Sequence, residues 1–133
     1  LIQSLSSVSL AKEIERRSEK SGVVTDCLVQ VNIGNEASKS GVGQEELHRF
    51  LEELSYYRHL RVRGLMAMAP FLANKEETRP YFARMKQLYD AMPTGENIQN
   101  KWLSMGMSQD YSVALEEGAN MIRVGSSIFE VRI

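Results

Sequence analysis

Apolar residues along this chain come in two alternating textures. Dense blocks rich in Val, Ile, Leu and Met lie at residues 1–5 (LIQSL), 23–33 (VVTDCLVQVNI), 62–69, 102–105 and 121–124. Such blocks predict strands. The 23–33 run alternates too weakly for a one-sided sheet, which suits a strand covered on both faces. Between the blocks, apolar positions thin to a spacing of three and four, the mark of amphipathic helices. The first helix runs from a Ser6 or Ser7 cap to about residue 20, with Leu10, Ala11 and Ile14 on one face and Gly22 at its end. The second places Leu47, Phe50, Leu51 and Leu54 on one stripe behind Gln44, Glu45 and Glu46. The third covers 78–92, with Tyr81, Met85, Leu88 and Met92 aligned. Pro80 must fall in its first turn, because an interior proline costs about 3 kcal/mol. The fourth spans 109–117 and closes at Gly118, while the stretches 34–43 and 93–100 predict loops.

Five strands and four helices thus alternate strictly. The fold class is α/β, with parallel strands joined by right-handed helical crossovers. Two architectures accommodate that pattern in one domain spanning 1–133. One is a flavodoxin-like open sheet, which the length of 133 residues favours when taken alone. The other is part of a TIM-type (β/α)8 barrel, about five strand units of it, since a complete barrel needs about 200 residues or more. Both bind ligands at the C-terminal ends of the strands.

Composition narrows the partners. Sixteen Lys+Arg against seventeen Asp+Glu give a formal net charge of −1. That balance argues against a nucleic-acid or anionic-membrane surface, since both need a basic excess. No apolar run approaches the roughly 18 residues of a membrane span. The single cysteine, Cys27, excludes an internal disulfide and fits a reducing compartment, the cytoplasm or a eukaryotic organelle matrix. Its apolar neighbours predict an inert buried thiol. His48 and His59 lack metal-site spacing and read as surface histidines. No signal-peptide pattern opens the chain. It starts at Leu1, directly on a strand-like stretch, as though part of the pattern lay upstream.

The candidate chemistry gathers at two strand ends. Ser104-Met105-Gly106-Met107-Ser108 leads straight into a helix that Ser108 is placed to cap. Arg123-Val124-Gly125-Ser126-Ser127 ends the last strand. Gly125 would admit an anion close to the backbone, and Ser126 and Ser127 would donate to its oxygens. Together these turns make a phosphate cup. Arg123 stands apart. A guanidinium within a Met-Ile-Arg-Val strand needs an anion or an acceptor, because burying it unpaired costs several kcal/mol.

Four segments carry a resemblance: LVQVNIGNEASKSGV (28–42), LRVRGLMAMAP (60–70), RPYFARMKQLYD (79–90) and LSMGMSQDYSVALEEGANMIRVGSSIF (103–129). In their order and separation they are similar to the pyridoxal-phosphate homeostasis proteins of the YggS/PROSC type. That family is related to the N-terminal barrel domain of alanine racemase. The resemblance implies a barrel lineage rather than an open sheet, and a non-catalytic carrier of pyridoxal 5′-phosphate. It implies that Ser108, Gly125 and Ser126 surround the cofactor phosphate and that Arg123 faces the pyridine nitrogen. Asn32 and Lys39 would lie at the mouth of the same site. The methionines at 66, 68, 105 and 107 read first as core filling, though Met105 and Met107 would flank the cup. Only the C-terminal part of the family pattern is matched. The family's Schiff-base lysine belongs to a strand upstream of the segment resembling 1–5, and none of Lys12, Lys20, Lys39, Lys75, Lys86 or Lys101 has its context. Cofactor binding in this chain is therefore expected to be non-covalent at most. Glu130 stands where the family commonly has glycine.

Two other functions fit the same residues, namely a racemase-like pyridoxal enzyme and an unrelated phosphate-ligand module. No catalytic residue and no metal ligand is assigned. Intact family members are expected to be monomers, and this shorter chain, with open sheet edges, to self-associate.

Overall fold

Four parallel strands lie side by side in the order in which the chain makes them. They are β1 (Ile2–Leu5), β2 (Thr25–Gln30), β3 (Leu60–Ala67) and β4 (Ile98–Met105). The helices α1 (Val8–Ser21), α2 (Leu47–Leu54), α3 (Arg79–Asp90) and α4 (Tyr111–Glu116) connect or follow them. This computed structural model describes residues 1–36 and 40–125. Right-handed crossovers between neighbours taken in sequence put every helix on the same side. The sheet is therefore singly wound, as in a barrel. A flavodoxin-like sheet would reverse direction partway through its strand order, and this one does not.

The two faces of the sheet differ in chemistry. Cys27 and Val29 of β2, Val62, Leu65 and Ala67 of β3, and Leu103 and Met105 of β4 share one buried cluster with the helices. From the helices come Ala11, Ile14, Phe50, Leu51, Leu54, Phe82 and Met85. The alternate positions face the other way. They include Gln3, Asp26, Gln30, Arg61 and Ser104, among the apolar Leu28 and Met66. Gln3 and Ser104, on the first and last strands of the sheet, are hydrogen-bonded at 2.7 Å. Their meeting across that face means the sheet is curled, concave on its polar side.

Several boundaries move from their expected places. Helix α1 has the Ser7 cap and ends at Gly22 as read. Its buried face is Ala11, Ile14 and Ser18, while Leu10 stays exposed. Ser18 is buried because its hydroxyl bonds that of Thr25 at 2.6 Å. The second strand is shorter than 23–33, since Val23 and Val24 are exposed before the sheet begins. A 3-10 turn (Gln44–Glu46) takes the acidic start of the second helix. Pro80 sits in the first turn of α3, and the fully buried residues of that helix are Met85, on the expected stripe, and Phe82, one position beside it. The fourth strand starts at Ile98, inside the stretch read as a loop. The fifth is reduced to one parallel bridge, Ser104 to Met121. No helix among the described residues is long and apolar enough to cross a membrane.

Candidate functional site

The C-terminal ends of β3 and β4 converge on one cation. Arg123 follows the Met121 bridge, and its backbone N–H is fixed by the Gly106 carbonyl at 2.9 Å. Its side chain turns in over the strand ends. Nη2 donates to the Ala67 carbonyl at 2.8 Å, and Nη1 donates to the Ser104 carbonyl at 3.3 Å and to Ser104 Oγ at 2.7 Å. These acceptors are all neutral, and a guanidinium has more donors than they use. Burial pulls the Arg123 pKa below the ordinary arginine range, and the carboxylate of Asp110 opposes that pull. The group stays charged, since arginine is not deprotonated in proteins.

Behind this cation the SMGMS turn is closed by residues other than the one expected. Ser108 is half-buried in the loop but does not cap α4. Asp110 occupies the cap position, and its Oδ1 accepts the Met107 N–H at 2.7 Å. The helix consequently begins at Tyr111. Gly106 lets the turn pass this close, at φ +103°, where a Cβ would lie 2.7 Å from the Ala114 Cβ. Gly125 is exposed, and a Cβ there would meet no described atom within 4 Å. Ser126, Ser127, Lys39 and Glu130 lie outside the described residues.

A cleft of about 620 Å³ opens at the same end of the sheet, between the loops that follow β3 and β4. Met68, Phe71, Lys75, Met107, Gln109 and Asp110 are among its walls. Lys75 Nζ reaches Ser112 Oγ at 3.4 Å. Met105 is fully buried in the helix-side core, as its core-filling reading expects, while Met107 is exposed in the cleft. Asn32 serves its own loop, with Nδ2 donating to the Glu36 carbonyl at 2.7 Å.

The opposite end of the sheet holds polar pairs with structural work. Asp26 and Arg61 are register partners on β2 and β3 and form a two-pronged ion pair at 2.7 and 3.1 Å. His59, read as a plain surface histidine, is half-buried against Glu15 of α1, with Nδ1 and Oε1 3.1 Å apart. Glu15 also accepts the backbone N–H groups of Arg58 and His59. His48 is exposed as expected. The Cys27 thiol is fully buried, and burial, then the Asp26 charge, pushes its pKa up to about 12. No metal-holding group of three or more His, Cys, Asp or Glu occurs among the described residues.

A singly wound parallel sheet with its cleft and its half-buried cation at the C-terminal strand ends is a segment of a (β/α) barrel. The chain belongs to the family of the alanine racemase N-terminal domain, whose sequence profile matches residues 1–132. It is 42% identical over 132 residues to the pyridoxal phosphate homeostasis protein of Aquifex aeolicus, covering 99% of this chain and 58% of that protein. It is 38% identical over 131 residues to the pyridoxal phosphate homeostasis protein of Helicobacter pylori, covering 98% of this chain and 57% of that one. It superposes on PipY of Synechococcus elongatus, solved with PLP bound, with a TM-score of 0.82 and 30% identity over 96% of this chain and 59% of PipY. The chain spans less than two thirds of the length of each relative. These matches bear out the resemblance read from the four sequence segments and the barrel lineage it implied.

Proposed function

We propose that this chain binds pyridoxal 5′-phosphate at the C-terminal ends of its strands, as the C-terminal portion of a barrel, and serves cofactor homeostasis as a carrier rather than a catalyst. The observation that carries the reading is Arg123. Its guanidinium is gripped by carbonyls and a hydroxyl, and among the described residues it is hydrogen-bonded to no carboxylate. A half-buried cation bonded only to neutral groups, with the Asp110 carboxylate acting without a hydrogen bond, can still take an electron-rich partner. Arg123 would meet the pyridine nitrogen. Ser108, Gly125 and Ser126 would hold the phosphate, the missing side chain of Gly125 admitting it close to the backbone.

The cofactor, when bound, brings a reactive aldehyde and an electron-withdrawing ring. Arg123 moderates that ring. It has donors only, so it bonds the nitrogen in its unprotonated form and leaves the ring a weaker electron sink, as suits a carrier. The relatives named for pyridoxal phosphate homeostasis support the same reading.

Trp102, the single tryptophan, lies on β4 and gives the test a built-in reporter. Titration with pyridoxal phosphate is expected to quench its fluorescence saturably, with inorganic phosphate competing. Arg123→Ala should weaken binding by roughly tenfold or more, the usual worth of a charge-assisted hydrogen bond. A titration without saturation, or an unchanged affinity in Arg123→Ala, overturns the assignment.

A further inference from the structure

We propose that Ser104 and Gln3 are positioning residues for Arg123, a neutral relay that crosses the concave face of the sheet and fixes where the guanidinium points. The consequence for ligand affinity rests on the functional reading above, whereas the positioning itself does not. Ser104 is fully buried and has a single hydroxyl proton. That hydroxyl lies 2.7 Å from Gln3 Oε1 and 2.7 Å from Arg123 Nη1. Arginine can only donate, so the serine oxygen must accept from it and send its own proton to Gln3. The same logic orients the amide. Were Gln3 to present its NH2 group, Ser104 would have to accept twice and its own proton would lose the Gln3 acceptor.

The direction of the relay is thus set from Arg123 through Ser104 to Gln3. The Ala67 carbonyl holds Nη2 at 2.8 Å from the neighbouring strand, so both ends of the guanidinium plane are pinned. Every member of the relay is neutral, which fixes the cation without quenching its charge. Gln3 belongs to β1, at the far edge of the sheet and 101 residues away in sequence. The aim of Arg123 therefore depends on the curl of the whole sheet.

The test reads the guanidinium directly. In 15N-labelled protein the Arg123 side-chain signals are assigned by their loss in Arg123→Lys. The pinned group is expected to show separate, slowly exchanging Nη protons. Ser104→Ala and Gln3→Leu should collapse them to averaged signals, and Ser104→Thr, which keeps the hydroxyl, should restore them. Circular dichroism of each variant checks that it folds, and Gln3→Leu, at a half-buried position, carries the test if Ser104→Ala does not. With pyridoxal phosphate added, Ser104→Ala should bind roughly tenfold more weakly and Ser104→Thr near the parent value. Averaged signals in the parent protein, or pinned signals persisting in folded Ser104→Ala and Gln3→Leu, overturn the relay. A freed guanidinium with undiminished pyridoxal-phosphate affinity overturns its role in binding. Pinned signals in a parent protein that binds no pyridoxal phosphate support the relay while refuting the functional reading.

Discussion

Glu15 is a carboxylate whose value comes from what it caps. Burial alone would raise its pKa, but the N–H of Arg58, the His59 side chain and the His59 N–H together hold it below the ordinary 4.5. A carboxyl depressed in the folded state stabilises that state at pH values above its unfolded pKa. The contribution is full above about 4.5 and is lost as pH falls through the lower folded value. Glu15→Gln should therefore be less stable than the parent by about 1 kcal/mol at neutral pH, and the gap should close in acid. Urea melts at pH 7 and in acid measure it, and a gap that does not narrow as pH falls below 4.5 would refute the assignment. The Arg123 side chain was legible in sequence, because a cation inside an apolar strand announces a demand. Glu15 and Gln3 were not. Their partners lie 44 and 101 residues away, and only the finished sheet brings them together.

At the scale of elements, alternation of strand and helix was readable throughout, because the core-facing residues carry it. Boundaries failed where pairing outranks composition. The start of β4, residues 98–100, is polar enough to read as loop, yet β3 recruits it into the sheet. The register slips between Val62↔Ile98 and Gly64↔Trp102, so four residues of β4 pass two of β3. Gly64 makes that slip possible. It sits at φ +142°, and a Cβ there would fall 1.7 Å from the Trp102 carbonyl oxygen. The obstacle is backbone, which cannot swing aside. Gly64→Ala should therefore destabilise the protein by roughly 3 kcal/mol or more, placing it among the severe single substitutions. The thermal midpoint reports this directly, and a loss below about 1 kcal/mol would mean that β4 does not cross Gly64 in this register. The last strand contracted for the complementary reason. Beyond the Met121 bridge, residues 122–124 do not extend the ladder, Ile122 packing on the core while the Arg123 side chain turns in over the strand ends.

For the molecule as a whole, a singly wound sheet has two chemically distinct ends, and they should separate in experiment. In barrels the ends of the strands carry ligand chemistry at the C-terminal side and stability at the N-terminal side. Here the C-terminal end holds Arg123, the SMGMS turn and the cleft, while the N-terminal end holds the Asp26–Arg61 and Glu15–His59 pairs. Length had pointed to an open, doubly wound sheet, which would set its ligand in a crevice between oppositely wound halves. The strand order β1-β2-β3-β4 has no such crevice. Asp26→Asn and Glu15→Gln should thus lower the urea midpoint and leave pyridoxal-phosphate affinity within about twofold of the parent, a difference too small to reflect a lost contact. Arg123→Ala should do the reverse, with affinity falling roughly tenfold or more while the melt shifts little. Measuring both quantities on all three variants decides the matter. Loss of affinity in Asp26→Asn at a temperature where the variant is fully folded would mean that the ligand enters from the other end of the sheet.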